Sequence, residues 1–300
     1  MSGEYTLILA SDYNVIQSKI NQILGTGSGD YGYGQPVTSI AETIKTPITA
    51  GHWASLRVDI LRAKQHLSGA NETGNLAPIT NSTIISGATL TQFQNMLTSI
   101  ETSRTTRPPN NQATRDQLVS STHITPWNTT LTHGFAVNFA SADGARFFFN
   151  SGSSIDISAS RTGGSVNMKN TSWTTMLTNM GVISFALATS SVSGTGTVTH
   201  SLGWASLTTD DQLLFQKLTE TSIYSPNQYD IYVRQGTSSA QLIFTVQFQD
   251  LSAPVGNGID EFVDGTLTSV VQTYRSSGVN VSVYAPSAQE FIRSKNLYLY

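Results

Sequence analysis

Alternating apolar and small polar side chains run through residues 133–187 and restrict the fold more than any other feature of this sequence. The alternating apolar residues are Phe135, Val137 and Phe139 in one run, then Ile155 and Ile157 in the next. A strand sends successive side chains to opposite faces, so a period of two is typical of a strand with one buried face. The pattern predicts a β-rich scaffold.

Turn signals join the predicted strands into hairpins. Asp143-Gly144 favours a tight turn, because both central residues of such a turn take positive φ, and 146–150 is the predicted returning strand. Two further runs, 229–233 and 242–248, alternate strongly and are predicted to pair through a turn at 236–239. These hairpins are expected to form a sandwich-like domain.

Short helices are predicted within the same region. Asn170 or Thr171 is the expected N-cap of the first, and Gly181 ends it. Its apolar stripe consists of Trp173, Met176, Leu177 and Met180. A second short helix is predicted over 209–218, since two aspartates lie where the positive end of a helix favours them. We expect the first helix to pack on a sheet.

The N-terminal third has helical rather than strand periodicity. Amphipathic helices are predicted over 12–24, 50–67 and 89–103, and a short strand over 5–10 precedes them. Pro108-Pro109 excludes helix and stiffens the chain that follows. The predicted fold class is therefore α+β, with a small helical domain followed by a β-rich, sandwich-like domain carrying one or two short helices.

These patterns give the predicted domain boundaries. The helical domain covers 1–105, a linker covers 106–122, and the β-rich domain with its C-terminal tail covers 123–300. A short helical turn is expected inside the linker, near 114–119. The length of 300 residues is sufficient for two domains of this size.

Charge is scarce along the whole chain. Charged residues make up 12% of the sequence, about half of the usual ~25%, and none occurs between Asn170 and Thr209. Charges are costly to desolvate, so this composition favours surfaces that pack against other subunits. The net charge of −3 gives no basic footprint for nucleic acid. No apolar run approaches the ~20 residues of a membrane span.

Several segments resemble virion structural proteins of tailed phages, of the cyanophage myovirus type. The resemblance is carried by ARFFFNSGSSIDISASRTGG at 145–164, SDYNVIQSKINQILGTGSGDYGYGQ at 11–35 and IDEFVDGTLTSVVQTYRSSGVNVSVYAP at 259–286. It implies a homo-oligomer that contacts other virion proteins in the neck, tail, baseplate or fibre region. Synthesis in the host cytoplasm agrees with the absence of cysteine.

No catalytic or cofactor-binding constellation is visible, and we expect a non-enzymatic protein without a cofactor. The histidines lack metal-binding spacing such as H-E-x-x-H, and no G-x-S-x-G elbow occurs. An acidic group could offer oxygens to Ca²⁺, although a structural loop is the preferred interpretation. Its members are Asp250, Asp260, Glu261 and Asp264.

Aromatic residues supply an alternative function, recognition of a host receptor or surface glycan. Rings exposed to solvent can stack on sugar faces, although alternating tyrosines in strands are more often packed. The residues considered for glycan contacts are Trp204, Tyr224, Tyr229 and Tyr232.

The C-terminal tail is the expected assembly segment. A last hairpin is predicted from 265–275 and 279–284, and Pro286 ends it. Beyond it, four apolar or aromatic side chains close the sequence, and such groups in water favour association. They are Leu297, Tyr298, Leu299 and Tyr300. We expect 288–300 to leave its own domain and pack on a neighbouring subunit or another particle protein; the competing interpretation is that the tail folds back onto its own β domain.

Overall fold

A computed structural model describes residues 8–43, 46–195, 202–252 and 262–291. The described chain divides into two compact units, and each combines segments that are distant in sequence. The helical unit lies within Met1–Thr114, Arg146–Ser153 and Arg275–Tyr284. The β unit lies within Arg115–Ala145, Ser154–Tyr274 and Ala285–Tyr300. The α+β fold class is confirmed.

The helical unit contains α1 (Ala10–Leu24), α2 (Ala50–Ser68) and α3 (Gly87–Ser103). Their inner stripes meet in one apolar core, as the spacing predicted. The helix residues at its centre include Ile16, Ile20, Trp53, Leu56, Ile60, Phe93 and Ile100. Thr49 and Ser86 cap α2 and α3 by accepting hydrogen bonds from the backbone of His52 and Thr89.

One predicted strand of the last hairpin belongs to this helical core instead. Val281 is fully buried among the helix side chains. Its neighbour Ser282 accepts a hydrogen bond at its carbonyl from Nε2 of Gln35, at 2.9 Å. The predicted pairing of 265–275 with 279–284 in a hairpin is therefore wrong, because Val281 packs among the helices and Ser282 makes an isolated bridge with Ser277 instead.

The β unit is built on two five-stranded sheets. The strands are β1 (Ala113–His123), β2 (Thr130–Asn138), β3 (Ser154–Thr162), β4 (Ile183–Phe185), β5 (Ser190–Val192), β6 (Gln212–Leu218), β7 (Gln228–Gln235), β8 (Gln241–Gln249), β9 (Thr266–Ser276) and β10 (Ser287–Glu290). The first sheet has the order β1-β9-β3-β4-β5, and the second has the order β10-β2-β8-β7-β6.

The inner faces of the two sheets share one core. Phe185 of the first sheet packs edge-on against Phe244 of the second, with ring centroids 5.5 Å apart. Nδ1 of His133 on β2 and Oγ of Ser269 on β9 are 2.9 Å apart, so a polar contact also joins the sheets. The alternation along β2, β7 and β8 supplies this core, as the sequence predicted.

Helix α5 (Met168–Met180) packs into the same core. Its Trp173 contacts Trp127 and Phe248, at centroid distances of 5.1 and 6.2 Å. The predicted helix and its buried stripe are confirmed, although Asn167 is the N-cap and accepts a hydrogen bond from the backbone of Asn170.

Three other predicted elements are wrong. Ala142–Asn150 form helix α4, not a turn and returning strand, and Oγ of Ser141 accepts from the backbone of Gly144 near its start. The predicted helix over 209–218 is strand β6. The predicted linker 106–122, with its helical turn, holds most of the long strand β1. Residues 5–7 of the strand predicted over 5–10 lie outside the described residues, and Ala10 already begins α1.

Candidate functional site

A cluster of amide side chains covers part of the outer face of the second sheet. Asp230 of β7 lies at its centre and is only 1% exposed. Its carboxylate accepts hydrogen bonds from Nε2 of three glutamines on neighbouring positions of β6, β7 and β8. These are Gln216 at 3.1 Å, Gln228 at 3.1 Å and Gln249 at 2.6 Å. We call these residues, together with Gln247 and Tyr232, the amide face.

Strand register brings the amide face together. Gln216 lies opposite Asp230, and Asp230 lies opposite Gln247, so the three side chains form one row across β6, β7 and β8. The row beside it contains Gln228 and Gln249, which are also paired. Side chains at paired positions point to the same face of a sheet, which explains how residues far apart in sequence converge.

The surroundings of Asp230 have two opposing effects on the pKa of its carboxyl group. Burial raises the pKa of this carboxyl group, because the charged form loses its hydration. The hydrogen bonds that the carboxylate accepts from Gln216, Tyr232, Gln228 and Gln249 lower the pKa and offset part of this rise. The carboxylate is thus an anchor that fixes the orientation of the surrounding amides.

The amide face keeps free hydrogen-bonding capacity on its outer side. Within the described residues, Oε1 of Gln216 and Gln249 and Nε2 of Gln247 have no protein partner. Oγ1 of Thr245, which is paired with Tyr232 across the strands, also has no hydrogen-bond partner among the described residues, but it lies buried beneath this surface. This arrangement offers both acceptors and donors, held in fixed positions, beside one partly exposed aromatic ring.

Of the aromatic residues considered for glycan contacts, only Tyr232 belongs to the amide face. Tyr229 is fully buried and packs between Phe215 and Phe248 in the sandwich core. Tyr224 is also buried, and Trp204 is half-buried in a short 3-10 turn. The two buried tyrosines cannot offer a ring face to a sugar. Tyr229 lies three positions from Tyr232 on β7 and so points to the opposite, core-facing side of the sheet. Tyr224 is buried in a separate 3-10 turn.

The acidic residues considered for Ca²⁺ do not form one site in the described structure. Asp250 pairs with Lys169 at 2.6 Å. Asp264 accepts from the backbone of Ser165 and pairs with Arg161, and the bonds from Ser165 are the main cause that lowers its pKa. Asp260 and Glu261 lie outside the described residues. No group of three or more potential metal ligands occurs in the described ranges.

The contact between His133 and Ser269 joins the two sheets inside the core. Ser269 is fully buried and His133 nearly so. Burial is the largest cause that lowers the pKa of His133 to about 4, and the neighbouring His123 adds to it while Glu290 opposes it. A nucleophile must reach its substrate, so this enclosed pair does not have the arrangement of a hydrolase site.

The expected assembly residues Leu297, Tyr298, Leu299 and Tyr300 lie outside the described residues. The start of the same tail is described: β10 pairs with β2 of its own chain, and Ala288 lies opposite Val137. This part of the tail therefore folds back, contrary to the expectation that 288–300 leaves its domain. The unpaired backbone groups at the edge of β2 can pair with a nearby extended segment, and the chain beyond Pro286 is such a segment.

In the part of the chain that is described, no helix has the length and apolarity to span a membrane. Comparisons with protein-family models, with curated proteins and with solved structures found no match.

Proposed function

We propose that this chain is a non-enzymatic structural protein of a tailed-phage particle, which assembles as a homo-oligomer with other virion proteins. The resemblance in sequence supports the particle context, in the neck, tail, baseplate or fibre region. The observation that carries the assembly role is the open edge of the first sheet.

Strand β1 is a long edge strand of that sheet. It spans 11 residues, whereas the edge strands β5 and β10 span 3 and 4 residues. Proteins usually protect edge strands by shortness, bulges, proline or charge. The edge strand β6 carries a bulge near Leu214. The second half of β1, residues 117–123, contains no proline and no Lys, Arg, Asp or Glu.

A second strand can therefore add to β1 through main-chain hydrogen bonds, the mode of recognition called β-augmentation. No described backbone group outside the sheet bonds to residues 114–123. The outer face beside this edge carries small uncharged side chains such as Ser158, Ser160 and Thr268, so another subunit could approach them without burying a charge.

Sedimentation velocity of the full chain tests the assembly role. Ser120→Lys/Thr122→Lys adds two charges at exposed positions of β1 and is expected to shift the protein from oligomer to monomer. Thr175→Lys/Thr178→Lys adds the same charges at exposed positions of α5 and serves as the matched control. If both double variants sediment like the unmodified oligomer, β1 is not the assembly edge.

The amide face favours a second candidate function, recognition of a host surface glycan. Fixed amide donors and acceptors beside an aromatic ring suit a polyhydroxylated ligand. A glycan array of the full chain tests this function, with Tyr232→Ala and Gln216→Ala as variants and the exposed Gln92→Ala of α3 as control. Binding that Tyr232→Ala and Gln216→Ala both leave intact would exclude the amide face, and no binding to any glycan would exclude the function.

A further inference from the structure

The first residues of α5 and the segment after β8 meet in a buried contact between Lys169 and Asp250. Nζ of Lys169 and Oδ2 of Asp250 are 2.6 Å apart, and the two side chains are 1% and 0% exposed. The two atoms are close, but their contact does not have the geometry of a hydrogen bond. Within the described residues, no group donates a hydrogen bond to Oδ2. An amine nitrogen thus lies beside a carboxyl group with no solvent around either side chain.

Asp250 and the residues that follow it are held in place by hydrogen bonds. The backbone N–H of Asp250 donates to the carbonyl of Thr129 at 3.0 Å, and Oγ of Ser252 donates to Oδ1 of Asp250 at 3.0 Å. Oδ1 of Asn227 accepts from the backbone of Leu251 and Ser252, both at 2.7 Å. Groups fixed at contact distance react far faster than free ones, because the entropy of bringing them together is already lost.

Burial makes the charged form of this pair costly. An ammonium and a carboxylate both lose their hydration here, and the neutral amine and neutral acid lose much less. Transfer of one proton from Nζ to Oδ2 produces that neutral pair. We infer that Lys169 and Asp250 condense to an intramolecular isopeptide bond between Nζ and Cγ.

The reaction needs no external reagent. The lone pair of Nζ attacks Cγ, and the C–N bond forms while negative charge develops on Oδ1, where the hydroxyl of Ser252 donates. The intermediate collapses when Oδ1 regains its double bond and the bond between Cγ and Oδ2 breaks. Oδ2 leaves as water with the proton it carried and one proton from the nitrogen. The products are one amide and one water molecule.

Such a bond has a clear use in this chain. The sequence contains no cysteine, so no disulfide can join distant segments. An amide between residues 169 and 250 would tie α5 to the end of β8 and would withstand denaturation or mechanical load. The inference does not depend on the proposed function, because it rests only on the contact between the two side chains.

A second lysine provides an internal control for proximity alone. Nζ of Lys217 lies 2.6 Å from Oε1 of Glu220, the same distance as in the buried pair, but the Glu220 side chain is 55% exposed. The Lys217 side chain is only 7% exposed, but water around the exposed Glu220 carboxylate stabilises the charged form of that pair. An ammonium group has no lone pair with which to attack. We therefore expect condensation at Lys169 and none at Lys217.

Intact mass spectrometry of the denatured full chain tests the inference. The expected mass is lower than the sequence mass by one water molecule, and proteolytic mapping should join a peptide containing Lys169 to one containing Asp250. Lys169→Arg and Asp250→Ala should each have the full mass of their sequence, whereas Lys217→Arg should retain the loss. A native chain with the full sequence mass would overturn the inference, and so would a loss of water that maps elsewhere.

Discussion

The helical unit and the β unit stabilise buried charged side chains in different ways. In the helical unit, the buried Asp59 accepts hydrogen bonds from the backbone of Thr38 and Ser39, at 3.0 and 2.7 Å. In the β unit, side chains pair with side chains from distant segments, as in Lys169 with Asp250 and Ser172 with Thr219. Periodic apolar contacts therefore stabilise the helical core, whereas in the β unit specific polar pairs also align the sheets and α5.

The largest expected effect compares one tryptophan from each core. Trp173 is buried against Trp127 and Phe248, and Trp53 packs edge-on between Tyr13 and Phe93. Trp173→Ala and Trp53→Ala should each lower the free energy of unfolding by about 3–5 kcal/mol, because each leaves a cavity. Denaturant unfolding followed by circular dichroism measures both. An unchanged midpoint for Trp173→Ala would show that α5 is peripheral to the β core.

A smaller expected effect is a dependence of stability on pH, because each unit contains a buried histidine. Burial lowers the pKa of His66 to about 4, although its contact with the carbonyl of Ser151 opposes the shift. His133 of the β unit is lowered to the same value, mainly by burial. A histidine in the unfolded chain binds a proton near pH 6.5, whereas each buried histidine binds one only near pH 4. The free energy of unfolding is therefore highest above pH 6.5 and falls as the pH decreases towards 4. The loss for His66 should reach about 3 kcal/mol at most.

Melting temperatures between pH 7 and 4 measure this dependence. His66→Gln and His133→Gln should each flatten the curve, and His52→Gln, at the start of α2, is the control. A curve that is flat for the unmodified chain would contradict the burial of both histidines.

The smallest expected effect comes from removing one helix cap in each unit, because each cap makes only a local hydrogen bond. Asn167→Ala at α5 and Ser86→Ala at α3 each remove one side-chain acceptor of a backbone N–H. Each should cost about 1 kcal/mol, measured as a shift of the unfolding midpoint. A much larger cost at Asn167 would mean that α5 depends on its cap more than on its packing.

Local periodicity was sufficient to predict α1, α2, α3, α5 and the pair β7–β8. Sequence reasoning gave the wrong element where one local pattern is compatible with two different structures. Asp143-Gly144 suits a tight turn, but an aspartate also favours the first turn of a helix, as in α4. β6 was predicted as a helix because two aspartates precede it, and the bulge near Leu214 interrupts the period of two that would have indicated a strand.

The candidate sites were less accessible to sequence reasoning. The amide face depends on the register of β6, β7 and β8, and no spacing along one strand reveals it. Tyr232 was singled out for its ring, while Asp230 and its glutamines were missed, although Gln228, Asp230 and Tyr232 at every second position were a usable signal. The pair of Lys169 and Asp250 joins residues that only the tertiary structure brings together.

We propose that a second chain covers the open edge of β1 when the protein assembles. Amide hydrogen exchange of residues 113–123, measured over a series of protein concentrations, tests it most directly. The account predicts that amides on the open side of β1 become protected as the concentration rises, while exchange in β8 at the centre of the second sheet stays constant. Rapid exchange along that side at every concentration, in a protein that sediments as an oligomer, would contradict it.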